Sequence, residues 1–293
     1  MRLAVLCSPE SWYLRDLNRA AADRHEVVAV GYPQIVGAIY GSTQIGAAGV
    51  DLSAFDAILV RTMPQGSLEQ VVFRMDALAR LQSAGQLIVN PPRSIEVAVD
   101  KFLTSALLVE AGLDHPRTIA CQTVDDAMQA FASLGGDVVV KPLFGAEGRG
   151  IARVSDEAIA LRVFKSLVPL GSVLYLQEFV PHHGYDCRVF LVGDRAFGMK
   201  RINRADWRTN VSRGATTEPL ELDARLVDLA RRAAAATGAV LAGVDILPAR
   251  DGRLCVIEVN AVPGWQSLAR TLGVDIAALV LDDVARRLDR QRS

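Results

Sequence analysis

Toward its carboxyl end the chain carries two carboxylates and an amide at a spacing that could hold a divalent cation. Asp245 lies in Gly243-Val244-Asp245-Ile246-Leu247, and Glu258 and Asn260 lie in Cys255-Val256-Ile257-Glu258-Val259-Asn260. Both stretches read as strands. Between them runs Pro248-Ala249-Arg250-Asp251-Gly252-Arg253, where Asp-Gly between apolar runs is a hairpin signal. With Asp251 and Gly252 as the two turn residues, Arg250 pairs with Arg253 and Asp245 falls opposite Glu258. Asn260 sits one same-face step further, since strand side chains alternate with period two. Carboxylates opposed across a strand pair repel one another unless a cation lies between them. Magnesium suits such a set, because it takes one or two carboxylates and completes its shell from phosphates and water. The alternative is a solvated polar face on an edge hairpin.

Cations that could meet phosphate occur at several places. Lys101 follows Asp100, which reads as a helix N-cap, so a cation and a helix N-terminus coincide. Lys141 ends the apolar strand Val138-Val139-Val140-Lys141. The segment Gly145-Ala146-Glu147-Gly148-Arg149-Gly150 comes next and runs from strand to strand, so it reads as a mobile hairpin flap whose N–H groups could close over phosphates. Between 200 and 213 the chain gathers Lys200, Arg201, Arg204, Arg208 and Arg213 against the single acid Asp206, with Asn203, Trp207 and Asn210 interleaved. Arginine forks suit phosphates and carboxylates. Asp186 and Arg188 share one face of another strand. Arg61 follows an early strand, where ligands of open α/β sheets tend to bind, and could face a substrate carboxylate; a surface-loop arginine is the alternative. Neither G-x-G-x-x-G after the first strand nor G-x-x-x-x-G-K-[ST] occurs, so a Rossmann turn or P-loop does not hold the nucleotide. His182 and His183 are adjacent, point in different directions and lack a third soft ligand, which argues against zinc.

The elements that must position these residues follow from periodicity and capping. Residues 3–7, 12–22 and 26–30 read as strand, helix and strand, and residues 56–61 as a third strand. Leu68, Val71, Val72, Met75, Leu78 and Ala79 recur at helical spacing before Gly85, and residues 87–90 form a further strand that closes a first unit. A helix from Asp100 ends at Gly112, and a second runs from 123 to 134. Residues 173–180 form a strand, and Gly193-Asp194 turns a hairpin between 186–192 and 195–201. Asp223 caps an alanine-rich helix that ends at Gly238, and an amphipathic helix over 275–288 presents Ile276, Leu279, Val280, Val284 and Leu288.

The whole chain limits the remaining choices. Its 293 residues, 51% of them hydrophobic, allow one large domain or two to three smaller ones with a sizeable core. Thirty-two basic residues against 33 acidic ones give a net charge of -1, with no long run of one sign. Neither a nucleic-acid nor a membrane partner is expected. Cys7, Cys121, Cys187 and Cys255 are scattered in apolar contexts and read as buried thiols in a reducing compartment. With no signal-peptide pattern and no apolar run long enough to span a bilayer, the cytoplasm is the expected location.

Taken in order, seven pieces resemble one family. They are Asp100-Lys101; Val140-Lys141-Pro142 before the glycine segment; Gln177-Glu178-Phe179-Val180; Asp186-x-Arg188; Trp207-Arg208-Thr209-Asn210 with Arg213-Gly214; Ala242-Gly243-Val244-Asp245; and Glu258-Val259-Asn260-Ala261-x-Pro263-Gly264. The family is the ATP-grasp ligases, and within them the RimK-like group that joins glutamate or a similar amino acid to a carboxylate. The resemblance implies an α/β ATP-grasp fold of three subdomains. Residues 1–92 would form an amino-terminal, Rossmann-like pre-ATP-grasp domain, residues 93–175 a central subdomain with the glycine flap, and residues 176–293 a carboxyl-terminal subdomain with the metal site. It further implies that Lys101 and Lys141 contact the phosphates of ATP, that Glu178, Phe179 and Val180 meet adenine through their backbone, and that Asp186 takes the nucleoside side. Arg208, Asn210 and Arg213 would steady phosphate and the anionic intermediate, and Arg188 would be the catalytic cation. Asp245, Glu258 and Asn260 would hold magnesium, two ions in all, with manganese as a substitute.

The implied reaction moves the γ-phosphoryl group onto a substrate carboxylate, and an amino group then attacks the acylphosphate to give an amide. Positioning and charge neutralisation carry such chemistry, so no nucleophilic side chain is required. The acceptor would be a small-molecule or peptide carboxylate, with Arg61 and Arg213 as substrate contacts, and a homo-oligomer is compatible with this. Residues 61–70 and Val262-Pro263-Gly264-Trp265 look like relatives that glutamylate a tetrahydromethanopterin-type cofactor rather than a ribosomal protein tail. Two alternatives stay open: a lysine or arginine biosynthesis type of ligase acting on a carrier protein, or another peptide ligase; and a non-catalytic ATP-binding regulatory protein.

Overall fold

The computed structural model describes residues 1–145 and 149–293. The glycine segment expected to act as a flap includes residues 146–148, which lie outside the described residues.

The chain opens with a parallel sheet in the order β2-β1-β6-β7. Its strands are β1 (Arg2–Leu6), β2 (Glu26–Val30), β6 (Ala57–Val60) and β7 (Leu87–Val89). Leu3, Ala4, Val5 and Leu6 are all fully buried, as expected for a strand covered on both faces. α1 (Trp12–Ala21) connects the first two strands, and α2 (Leu68–Ser83) connects the last two. Ser67 opens α2 by accepting from the Gln70 N–H, while the Gln70 side chain accepts from the Ser67 N–H, a reciprocal cap. Between β2 and β6 lies an antiparallel ribbon absent from the sequence reading: β3 (Ile35–Ile39), β4 (Thr43–Ala47) and β5 (Val50–Asp51). Its strands are short, contain Gly37 and Gly46, and alternate poorly, so periodicity does not reveal them.

α3 (Pro92–Val99) and α4 (Lys101–Glu110) lead into the second sheet. Asp100 caps α4 as expected, accepting from the N–H groups of Phe102 and Leu103. β8 (Thr118–Cys121), β9 (Val138–Lys141), β10 (Ala152–Val154) and β11 (Leu174–Glu178) form an antiparallel sheet ordered β10-β9-β11-β8. It is covered by α5 (Val124–Ser133) and α6 (Glu157–Leu167). This sheet and its helices have their own core, with Phe131, Phe164, Val138, Val140 and Leu176 at its centre.

The third sheet is antiparallel, ordered β14-β13-β12-β15-β16. It comprises β12 (Tyr185–Val192), β13 (Arg195–Ile202), β14 (Thr216–Leu220), β15 (Leu241–Pro248) and β16 (Leu254–Asn260), with α7 (Ala224–Thr237), α8 (Gln266–Leu272) and α9 (Ile276–Arg292). β12 and β13 pair as the sequence predicts, Val192 facing Arg195 across Gly193-Asp194. The β15-β16 hairpin needs a correction. Pro248 pairs with Leu254 and the Ala249 N–H donates to the Arg253 carbonyl, so Arg250 does not pair with Arg253. Three residues, Arg250, Asp251 and Gly252, make the turn, and Gly252 takes φ 90°, as in the three-residue hairpin whose last residue is left-handed. The register then shifts by one residue between Asp245 and Ile246, leaving Ile257 as the extra residue of a β-bulge. The two offsets cancel, and Asp245 faces Glu258 after all.

The first and third sheets are not separate bodies. One core joins Leu6, Ile58 and Val60 to Val244, Ile246 and Leu226. Another joins Leu3, Val5 and Leu17 to Trp265, Ile276 and Val280. Among the described residues no helix is long and apolar enough to cross a membrane.

Candidate active site

A partly open cleft of about 1110 Å³ separates the second and third sheets. Of the residues singled out in the sequence, Lys101, Lys141, Glu178, Phe179, Val180, Asp186, Arg208, Asn210, Asp245 and Glu258 line it. Arg188, Asn260, Arg61 and Arg213 do not line it; Arg188 is bonded to the lining residue Asp245, and Asn260 is two residues from the lining residue Glu258.

Strand pairing builds the charged floor. Asp186 and Arg201 are direct cross-strand partners, and Arg201 donates to both Asp186 oxygens, from Nε at 2.7 Å and Nη2 at 2.5 Å. Thr209 adds a third bond to Asp186 at 2.5 Å. On the other side of β12, Arg188 pairs with Asp245 and grips it with Nε and Nη2, the latter at 2.8 Å. Arg201 also reaches Asp245 at 2.8 Å. Both carboxylates are about 1% exposed, so they depend on these guanidinium groups for charge compensation. Burial works against ionisation of Asp245, yet Arg188 and Arg201 outweigh it and hold the carboxyl below its ordinary range.

Glu258 is in the opposite condition. Burial, reinforced by the Asp245 charge, pushes its carboxyl up, although Arg188, Lys101 and Lys141 pull it down. Among the described residues its side chain takes part in no hydrogen bond or ion pair. Asn260, two residues along the same face, donates only a long bond from Nδ2 to the Gly243 carbonyl at 3.4 Å. No three His, Cys, Asp or Glu side chains converge among the described residues, but magnesium does not need them: two carboxylates and an amide oxygen are its donor chemistry. A half-buried Glu258 carboxylate without a partner among the described residues, facing Asp245, is the donor chemistry a divalent cation takes, so these residues fit the ion, with Asp245 shared between it and the guanidinium groups of Arg188 and Arg201.

Two lysines face this pair. Lys101 donates to the Gly145 carbonyl at 2.8 Å, and burial lowers its pKa against the pull of Glu258 and Asp100. Lys141 donates to Gln177 Oε1 at 2.6 Å, and burial lowers its pKa to about 8, opposed by Glu258 and assisted by Lys101. At the far end of the cleft, the Glu178 side chain is held by Arg117 at 2.6 Å and Arg253 at 3.4 Å. Phe179 meets Trp207 edge to face at 5.9 Å, and Arg153 lies 3.5 Å over the Phe179 ring. Arg208 pairs with Asp206 at 2.6 Å.

Arg61 is not a surface-loop arginine. It is 4% exposed, lies between the rings of Tyr13 at 4.6 Å and Trp265 at 4.1 Å, and donates from Nη2 to the Pro263 carbonyl at 2.7 Å. Among the described residues its Nε and Nη1 have no hydrogen-bond partner, and the ring faces take the place of acceptors. The sequence reading gave no role to Thr209 or His115, and counted Arg201 only within the cluster of cations that could meet an anionic substrate rather than as the partner of Asp186. Arg201 was within reach: counting outward from the Gly193-Asp194 turn places it opposite Asp186.

One cleft of an α/β scaffold thus brings together a mixed carboxylate and amide set suited to a cation and two lysines suited to an anion. The same scaffold is found in PsnB, an ATP-grasp ligase solved with a minimal precursor, Mg and ADP (TM-score 0.75, 21% identity, 98% of this chain and 97% of that one). It is found again in a RimK domain ATP-grasp protein from Sphaerobacter thermophilus (TM-score 0.75, 26% identity, 96% and 98% covered). A tetrahydromethanopterin:alpha-L-glutamate ligase of Methanosarcina acetivorans is 31% identical over 95% of this chain and 96% of its own. The profile of the RimK-like ATP-grasp domain matches residues 98–284. The chain belongs to the RimK-like ATP-grasp family and is an ATP-dependent ligase.

Proposed function

We propose that the enzyme joins L-glutamate to the carboxylate of a small, pterin-type cofactor. ATP would lie in the cleft between the second and third sheets, with residues 1–92, 93–175 and 176–293 acting as the three subdomains and the cytoplasm as the place of action. The observation that carries the reading is the half-buried Glu258 carboxylate, without a partner among the described residues, opposite Asp245 and with Lys101 and Lys141 facing it. A cation and a polyanion together would complete that arrangement.

In this reading Lys101 and Lys141 take the phosphates. The Glu178 side chain is tied to Arg117 and Arg253, so the backbone of 178–180 is what remains for the base, with Phe179 and Trp207 beside it. Asp186 would take the ribose side, and Arg208 and Asn210 would steady the transferred group. Asp245, Glu258 and Asn260 would hold magnesium, as a pair of ions that manganese can replace. Bound there, the metal would neutralise charge on the phosphates. Arg188 keeps Asp245 ionised and can offer its free edge to the developing anion on the substrate carboxylate. A carboxylate oxygen attacks the γ-phosphorus, ADP leaves, and the glutamate amine displaces phosphate from the acylphosphate to form the amide.

The test is magnesium-dependent ADP formation with glutamate and a panel of carboxylate acceptors, followed by mass analysis of the products. A tetrahydromethanopterin-type acceptor should stimulate ADP release and gain one glutamyl residue. Turnover only with a peptide or carrier protein would overturn the acceptor and leave the ligase chemistry standing. Glu258→Gln and Asn260→Ala should each lower turnover at least about 100-fold without loss of fold; normal turnover in both would remove the metal assignment.

A further inference from the structure

Lys141 and Val256 belong to different sheets, yet a chain of side chains connects them. His115 Nδ1 lies 2.7 Å from the Val256 carbonyl oxygen. That oxygen can only accept, so Nδ1 carries the proton. The ring is half-buried, and desolvation pushes its pKa down to about 4, so it is neutral and Nε2 is an acceptor. The group 3.0 Å from Nε2 is therefore the amide nitrogen of Gln177, which also donates to Thr118 Oγ1 at 3.0 Å and approaches the Tyr175 hydroxyl at 3.3 Å. With its nitrogen so committed, Gln177 turns Oε1 to the Lys141 ammonium at 2.6 Å. The root is firm, because the Val256 N–H donates to the Asp114 carbonyl at 2.8 Å and clamps the His115 segment onto β16.

We propose that His115 and Gln177 are positioning residues for Lys141. The carbonyl of Val256 sets the His115 tautomer, the ring sets the orientation of the Gln177 amide, and the amide oxygen keeps the lysine directed into the cleft. Without that acceptor the ammonium is drawn to the unpartnered Glu258 carboxylate and away from the phosphates. The relay also ties the phosphate-facing lysine of one sheet to the strand carrying Glu258 and Asn260 on the other, so the two walls of the cleft keep one register. The proposal rests on the reading of Lys141 as a phosphate contact.

The experiment measures the affinity of the full chain for magnesium and a non-hydrolysable ATP analogue by calorimetry, with circular dichroism to verify folding. Gln177→Met should weaken binding about tenfold, as expected for losing one hydrogen bond to a charged group. In steady-state assays the ATP KM should rise by a similar factor while kcat changes less. His115→Leu should weaken binding about fivefold, and His115→Gln, which restores an acceptor in place of Nε2, should recover most of that loss. In the Gln177→Met background His115→Leu should add nothing, because residues acting through one another are non-additive. Additive losses, or parental affinity in Gln177→Met, overturn the relay. Lys141→Ala separates the two readings: if it weakens binding and Gln177→Met does not, the relay alone fails; if it has no effect, the phosphate contact fails and the relay with it.

Discussion

At the scale of single residues the site works by dividing charge unequally. Asp245 is kept ionised by two arginines, while Glu258, facing it across the bulge, is pushed toward its neutral form. Environment thus separates two chemically similar groups. Lys141 bears a related cost. Its ammonium titrates near about 8 in the fold against an ordinary 10.5. Between these values the unfolded chain keeps a proton that the folded chain has lost, so stability rises as pH increases through that window. Below about 8 both states are charged and the full burial cost is present. Lys141→Met should therefore raise Tm at pH 7 by on the order of 5 °C, with the gain gone by about pH 10.5, while nucleotide affinity falls. Thermal melts across that range check it, and a Tm that drops at pH 7 would show that the ammonium stabilises the fold.

At the scale of elements, β15, β16 and their neighbour β12 are fitted closely enough that one glycine matters. A Cβ on Gly243 would stand 3.0 Å from Pro263 Cβ and 3.3 Å from Arg188 Nη1. Both neighbours are held by buried arginine contacts: Arg188 grips Asp245 of the site, and the Pro263 carbonyl accepts from Arg61 outside it. Gly243→Ala should push Arg188 off its carboxylate and lower kcat about 100-fold, since displacements near 1 Å cost that much at a positioned group. Because Pro263 Cβ is a ring atom that cannot swing aside as the Arg188 guanidinium can, the melting temperature should also fall, by about 4 °C. Near-parental kcat would mean that Arg188 need not hold its observed place. The bulge at Ile257 has a related use, since it brings both Ile257 and Glu258 to the cleft opposite Asp245.

At the scale of the whole molecule there are two bodies of packing rather than three. The first and third sheets share both large cores, and Asn90, just after β7, accepts from the Val240 and Leu241 N–H groups at 2.7 and 2.9 Å. Its Nδ2 also donates to the Leu241 carbonyl at 2.6 Å and to the Ala261 carbonyl. Among the described residues the second sheet, with its helices, has a core of its own, and a small cluster of Val180, Ala249 and Cys255 lies apart from both large cores. Native-state hydrogen exchange should therefore find β1, β6 and β7 opening together with β12, β15 and β16, and β8 to β11 opening as a separate, less costly unit. Exchange of the first sheet ahead of the third would contradict this coupling. The cleft lies between the two units.

How much of this was legible depends on how local the determinants are. Helix caps at Asp100 and Asp223 and the two-residue turn at Gly193-Asp194 act over a few residues, so sequence alone determined α4, α7 and the β12-β13 pairing, and with it the chance to see Asp186 opposite Arg201. The order of Lys101, Lys141, Glu178, Asp186, Arg188, Asp245, Glu258 and Asn260 along the chain carried the family resemblance. The Asp245 and Glu258 pairing was anticipated through two offsets that cancelled, because a turn of three residues and a bulge of one leave the same register as a turn of two. Tertiary structure alone decided that Arg188 grips Asp245, that Arg61 donates to the Pro263 carbonyl, and that His115 reaches Val256. Those partners are separated by 57, 202 and 141 positions for the bonds concerned, and contacts at such distances follow from sheet order and the packing of one sheet on another, which no local pattern of residues encodes.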